Sequence, residues 1–401
     1  MLIFIRIIHL SFSMLFVFQL FGQSTTKTNL ELIDKGKKID NVIEFSISTN
    51  NYAQMKNTDG NSISLNSKIL KINNDFIVPK DIHTRGQTTQ YYRRKSLSFS
   101  LDSKAKIIQG DDTLGMKKFE AISLSMDNFY YRNRLAFGLL KKLNLFNLFY
   151  AYGDIKINDE HAGVYLLLQR PQDWAFNMKD SPILIRRGYD HKIEKIKTDK
   201  KVDKSEIKAY RKTFSEIYKL LNDFDGERLY QELSKLLDIE MYMKWLAFNY
   251  FFKNGDYTDE VFFYIDPTDE KFRIIPWDYD DIFSNTPHEG RKEKYDKIGD
   301  KFLFSSEDEL DRKIANDNFL YEHYLKQLKT VALQLDESVL KEVFENTYAE
   351  LYPYYSNPDI ISMAQYDSHP TVSIPLLKKS LEESYAYLLM SRTVILNQLK
   401  N

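Results

Sequence analysis

Apolar and polar residues alternate with a period of two over Val42–Ser48, Ile63–Ile72 and Ser96–Leu101, and again over Asp154–Ile157 and Val164–Leu168. That period belongs to strands with one buried face. The last two runs are joined by Asn158-Asp159-Glu160-His161-Ala162-Gly163, a link rich in turn formers. One helix interrupts the strands: Asp127 can cap it, and Leu135, Ala136, Leu139 and Leu140 recur at helical spacing. Past Pro171 the period changes. Ser205–Leu221, with its serine at the N-cap, Ile239–Phe252 behind Asp238, Phe319–Leu335, Glu337–Leu351 and Ile374–Leu399 all read as helices. In this half only the stretch around Val261–Ile275 reads as strand. The pattern predicts an α+β fold with a sheet-rich part over residues 23–170 and a mainly helical part over 171–401.

The first residues stand apart from both. A single cation, Arg6, precedes an apolar run from Ile7 to Phe21, and Gly22-Gln23-Ser24 follows. This order predicts a secretory signal over residues 1–22, cut after Gly22, hence an exported protein with no stable membrane span after cleavage. The run is short for a span, which needs about 20 apolar residues.

Composition narrows the class further. Aromatics make up 14% of the 401 residues, which argues against extended disorder. The formal net charge is −1, and −2 once Arg6 is removed, so no global field favours nucleic acid or an anionic membrane. Basic runs such as Arg93-Arg94-Lys95 and Lys195–Lys204 are interrupted or followed by acids and read as solvated faces. With no cysteine in the chain, metal ligands are limited to oxygen and nitrogen.

The candidate chemistry sits at 254–281. Asn254-Gly255 suits a left-handed helix end and delivers Asp256 into the following loop, where Asp259 and Glu260 add two more carboxylates. After a short hairpin comes Ile275-Pro276-Trp277-Asp278-Tyr279-Asp280-Asp281. In an extended continuation Asp278 and Asp280 point one way and Asp281 the other, an arrangement suited to a hard cation. In the sheet half, alternation puts Lys95 on the same face as Leu97, Phe99 and Leu101, so its ammonium needs an anionic partner or a route to solvent. Phosphoryl transfer asks for these parts together: a lysine on nucleotide phosphates, an Asp at the acceptor hydroxyl, and carboxylates on a metal. No Walker loop is present. Gly86 is the only glycine near Lys95.

Arg85-Gly86-Gln87-Thr88-Thr89 leading to Lys95, Met126-Asp127 with Arg132-Asn133, His161-Ala162-Gly163-Val164-Tyr165-Leu166-Leu167-Leu168, Asn254-Gly255-Asp256 and Ile275-Pro276-Trp277-Asp278-Tyr279-Asp280 resemble the CotH family of atypical, secreted or coat-associated protein kinases. The resemblance implies a diverged bilobal kinase-like fold that binds ATP with Mg²⁺ or Mn²⁺. By position, it implies Lys95 as the nucleotide lysine, Asp256 as the catalytic aspartate, Asp278 as a metal ligand with Asp280 close by, and Arg85 as a phosphate contact. Two positions depart from the family: Gln169 stands where glutamate is frequent, and Glu260 where asparagine is.

The expected function is transfer of the ATP γ-phosphoryl group to a hydroxyl of an unidentified protein acceptor, such as one of the cell envelope. Glu260 is expected to join Asp278 and Asp280 at the metal. Two other readings compete: a kinase-like extracellular binding module that has lost transfer, motivated by Gln169 and Glu260, and a Ca²⁺-stabilised structural or carbohydrate-binding protein.

Overall fold

The computed structural model describes residues 29–34, 43–109, 112–188, 192–199, 201–285, 301–305 and 307–400. The expected signal segment at 1–22 lies outside them. The chain is a mixed α+β protein, sheet-rich in its N-terminal part and helical in its C-terminal part.

Eight strands form the larger sheet: β1 (Glu44–Ile47), β2 (Leu70–Ile72), β3 (Asp75–Ile77), β4 (Pro79–Arg85), β5 (Ser96–Gln109), β6 (Asp112–Ile122), β7 (Tyr150–Ile157) and β8 (Glu160–Gln169). Their order is β3-β2-β1-β7-β8-β6-β5-β4. β1 and β7 run parallel, and the other described pairs are antiparallel. Of the predicted run Ile63–Ile72, only Leu70–Ile72 pairs as a strand, while Ser64 makes an isolated bridge to His83.

Register decides which face of this sheet each side chain occupies. Leu97 pairs with Ala121, Phe99 with Phe119, and Phe119 in turn with Gln169. These residues share one face with Phe45, whose ring centroid lies 5.8 Å from those of Phe99 and Phe119. The opposite face carries Arg85, paired with Ser96, and Glu120, paired with Ser98 and Leu168.

The Arg93-Arg94-Lys95 run is not the solvated face its charge suggests, for Arg94 is 2% and Lys95 0% exposed. Arg94 donates from Nε to Ala162 O (2.8 Å) and from Nη2 to Ser123 O (2.8 Å), and it is ion-paired with Asp367. This guanidinium lies over Gly163, which has φ +95°, and a Cβ there would stand 2.9 Å from Arg94 Nε. The glycine of the His161-Ala162-Gly163 link is thus required twice, by conformation and by the buried arginine above it.

The second half holds more strand than the pattern predicts. β9 (Ile183–Arg187) and β10 (Ile193–Thr198) join β11 (Val261–Asp266) and β12 (Lys271–Pro276) in a four-stranded sheet of order β10-β9-β11-β12. Around the two sheets pack α1 (Arg132–Lys142), α2 (Pro171–Met178), α3 (Lys204–Asp223), α4 (Gly226–Leu236), α5 (Ile239–Phe252), α6 (Glu309–Asn316), α7 (Asn318–Gln334), α8 (Glu337–Tyr355) and α9 (Ile374–Gln398). The cap of α3 is Asp203, in a reciprocal box with Glu206, and not Ser205. The carboxylate accepts two backbone N–H groups there, which a serine one turn position later cannot reach. No helix among the described residues is long and apolar enough to cross a membrane.

Candidate active site

The β11–β12 hairpin is the device that joins the two acidic stretches. Val261 pairs with Pro276 at its open end, so Glu260 and Trp277 leave the sheet side by side. Trp277 and Tyr279 turn inward. The Tyr279 ring meets Phe137 of α1 at 5.8 Å and Phe248 of α5 at 5.7 Å, both edge-on. This apolar anchoring leaves Asp278 and Asp280 half-buried on the other side. The segment is not the extended continuation expected from the pattern: Asp278 is left-handed at φ 53°. Backbone bending, and not strand alternation, sets the direction of these two carboxylates.

α1 holds that bend. Asn133 Oδ1 accepts from Tyr279 N (2.8 Å), and Arg132 Nη1 donates to Asp280 O (2.8 Å). Both residues are positioned by Asp127, whose carboxylate accepts from the backbone N–H groups of Arg132 and Asn133, each at 2.9 Å. Burial pushes Asp127 up to about 6, against those hydrogen bonds. The Asp127, Arg132 and Asn133 motif therefore serves the site through the backbone of the 278–280 bend.

The Asp256 loop begins one residue earlier than expected, because the left-handed helix end is Lys253 (φ 47°) and not Asn254-Gly255. Asn254 is buried and its Oδ1 accepts from Asp256 N (3.2 Å). Gly255 N donates to Asp281 O (3.0 Å), and a Cβ at Gly255 would overlap Asp281 Oδ2. Close approach of the Asp281 side chain, more than turn conformation, makes this position glycine. Ser284 N donates to Lys253 O (3.0 Å), so the two acidic loops are sewn together along their backbones.

Behind the loop lies a buried ionic group. Arg187 on β9 donates to Thr258 O (2.9 Å) and stands 3.3 Å from Asp308, with both side chains fully buried. Tyr242 donates to Asp311 Oδ1 (2.5 Å), and burial followed by the Asp308 charge raises Asp311, with Arg187 opposing. Arginine 186, one residue earlier, faces the other way and meets Glu260 at 2.7 Å.

Electrostatics tie the carboxylates into one group. Glu260 is held well above the carboxylate range by burial, then by the charge of Asp278, with Asp259 and Asp256 adding to it and Arg186 opposing. Asp280 is held well above it by burial, then by Asp278, Asp127, Asp256 and Asp281. Asp278 is raised by burial and drawn down by Arg85 and Arg186. The structure thus gathers Asp256, Asp278, Asp280, Glu260 and Arg85, and like charges so crowded are relieved by a cation. No three carboxylate or imidazole groups among the described residues are arranged to enclose a metal by themselves. The set instead fits Mg²⁺ or Mn²⁺ held by one or two carboxylates together with phosphate oxygens.

Lys95 is not brought to this group. Its ammonium donates to the carbonyls of Gln90 and of Tyr92 (3.1 Å) and so anchors the 3-10 turn Thr88–Tyr91 that follows Arg85-Gly86. Burial lowers its pKa, and the carboxylate whose charge bears on it is Asp59. Backbone carbonyls, not a carboxylate, satisfy it. Arg186 and Glu120 escaped the sequence reading. Glu120 lies on the site face of β6, and its Oε2 is 3.0 Å from Arg85 Nε.

The carboxylates are thus set beside Arg85 and Arg186. Residues 82–388 match the CotH kinase protein family, and the chain belongs to that family. The inner spore coat protein H of Bacillus subtilis (strain 168) is 23% identical over 223 residues, covering 52% of this chain. The alignment spans 60% of that relative's length. The crystal structure of the Helicobacter pylori proinflammatory kinase CtkA shares 11% identity and a TM-score of 0.29, over 70% of this chain and 94% of that one.

Proposed function

We propose that the protein is an exported, metal-dependent phosphotransferase that moves the γ-phosphoryl group of ATP to a hydroxyl of a protein acceptor, the cell envelope being the expected source. The observation that carries this reading is the convergence of Asp256 with Asp278 and Asp280 in one electrostatic group, although they lie on separate loops. Asp256 orients the acceptor hydroxyl and takes its proton as the oxygen bonds to the γ-phosphorus and the bond to the ADP leaving oxygen breaks. Asp278 and Asp280, with Glu260 beside them on Arg186, would hold Mg²⁺ or Mn²⁺, which when bound neutralises charge on the phosphate oxygens. Arg85 meets phosphate on the sheet side. Export rests on the apolar segment at 1–22.

One observation favours a second reading, a nucleotide-binding module without transfer. Arg186 already engages Glu260 at 2.7 Å, which withholds that carboxylate from a metal. The two readings part in one assay: γ-labelled ATP and Mn²⁺, with cell-envelope extract as acceptor, and a parallel sample in excess chelator. Label is expected in protein, and none with chelator. ATP-dependent thermal stabilisation with no label in any acceptor would select the module.

A further inference from the structure

Arg85 does not stand alone on its face of the sheet. The charges of Arg85, Arg170, Lys197 and His83 all bear on Glu120, which is buried on β6. Arg170 follows the end of β8, and Lys197 lies on β10 of the smaller sheet. Register places Lys197 opposite Leu184, and Arg186 opposite Phe262 and Lys195, so Lys197 shares a sheet face with the arginine that grips Glu260. Two sheets thereby present Arg85 and Arg186, whose charges bear on Asp278, and Arg170 and Lys197, whose charges together with that of Arg85 bear on Glu120.

Arg186 is paired with Glu260 and Glu194, but Arg85, Arg170 and Lys197 are under-compensated. Lys197 Nζ has a neutral partner, Gln172 Oε1. Arg170 uses Nε on Asp173, while its Nη2 is buried with no hydrogen-bond partner among the described residues. Arg85, Arg170 and Lys197 thus meet two carboxylates, Glu120 and Asp173. Such an excess of desolvated cations is costly unless an anion completes it.

We propose that Lys197 and Arg170, with Arg85, form the subsite for the polyphosphate chain of the nucleotide, and that Lys95 supports the neighbouring turn instead of contacting phosphate. This assignment rests on the phosphotransferase reading above and names the residues that grip its substrate. A triphosphate is favoured over an acidic acceptor because Arg85, which shares Glu120 with Arg170 and Lys197, also bears on Asp278, where phosphate oxygens would complete a metal's coordination. Its several negative charges match a row of cations, and arginine forks suit phosphate oxygens.

Lys197 is also a residue whose charge opposes folding. Burial lowers its pKa from 10.5 to about 8, with Lys195 and Arg170 adding repulsion and Glu120 and Asp173 opposing it. A depressed lysine destabilises the native state fully below pH 8, and the penalty fades as pH rises toward 10.5. Lys197→Gln should therefore raise the thermal midpoint of the ligand-free protein at pH 7, with a gain that disappears at high pH.

The test is calorimetric titration of the full chain with ATP–Mn²⁺ and with inorganic tripolyphosphate–Mn²⁺, comparing wild type, Lys197→Gln, Arg170→Gln and Lys208→Gln. The last makes the same charge change as Lys197→Gln on an exposed part of α3. Lys197→Gln and Arg170→Gln are expected to weaken both probes by about tenfold or more, the loss of one charge-assisted contact. Lys208→Gln is expected to bind as wild type. Unchanged binding of both probes by Lys197→Gln overturns the subsite alone. Failure of wild type to bind either probe overturns the phosphotransferase reading and the subsite with it.

Discussion

Asp256→Ala is expected to reduce phosphoryl transfer by about 10²–10⁴-fold, the range for removal of a positioned general base, while nucleotide-dependent thermal stabilisation persists. The loop supports this separation. Asp256 is held through its backbone N–H on Asn254, and the neighbouring Gly255 is bonded to Asp281, so truncating the carboxylate leaves these backbone ties in place. Its charge adds to the burden on both Glu260 and Asp280. Removing it relieves repulsion among the carboxylates that remain, so binding of metal and nucleotide is expected to hold or tighten. A single-turnover assay together with a melting curve in ATP–Mn²⁺ reads both quantities. Loss of binding in step with loss of transfer would make Asp256 a ligand-holding residue.

Arg187→Met is expected to cost about 3–5 kcal/mol of stability, the usual penalty for breaking a buried ion pair from one side. Arg187 is 0% exposed, as are Asp308 and Asp311, and its removal leaves two buried carboxylates facing each other. It also releases Thr258 O, so the Asp256 loop loses its rear support. The deficit should depend on pH with a definite sign. Burial and the Asp308 charge already raise Asp311, and a raised carboxylate favours the native state below its pKa and loses that advantage as pH rises through it. Without Arg187 the raise is larger, so the variant's deficit should grow as pH rises above about 7, where the wild type ionises Asp311 beside Arg187 and the variant does not. Urea unfolding at several pH values, with the slope unchanged, measures this directly.

Much of the architecture could be read from the chain because local and tertiary demands coincide there. α5 spans the predicted Ile239–Phe252, since its cap Asp238 and the left-handed Lys253 close it from both ends. β9 and β10 were harder. Ile183–Arg187 ends in two arginines and Ile193–Thr198 carries Glu194, Lys195 and Lys197, so neither shows the period-two pattern of a half-buried strand. Their pairing with β11, and the turning of Arg186 and Arg187 to opposite sides, arise only once the sheet forms.

Lys95 shows the same limit at the site. Alternation correctly places it with Leu97 and Phe99, but the strand pattern cannot say which face of the sheet the acidic loops approach. They approach the face of Arg85 and Glu120. The acidic loops themselves were legible as a pair because a hairpin must return its ends to one place. The bend at Asp278 was not, because a left-handed aspartate carries no mark distinguishing it from one in a strand.

These carboxylates are expected to hold a metal only together with nucleotide phosphates. Mn²⁺ titration followed by electron paramagnetic resonance, with and without ATP, on wild type and Asp278→Asn, tests it most directly. The account predicts weak Mn²⁺ binding by the protein alone, tight binding of a protein–ATP–Mn²⁺ complex, and loss of that complex in Asp278→Asn. Equally tight Mn²⁺ binding without nucleotide, or a ternary complex that Asp278→Asn leaves intact, would contradict it.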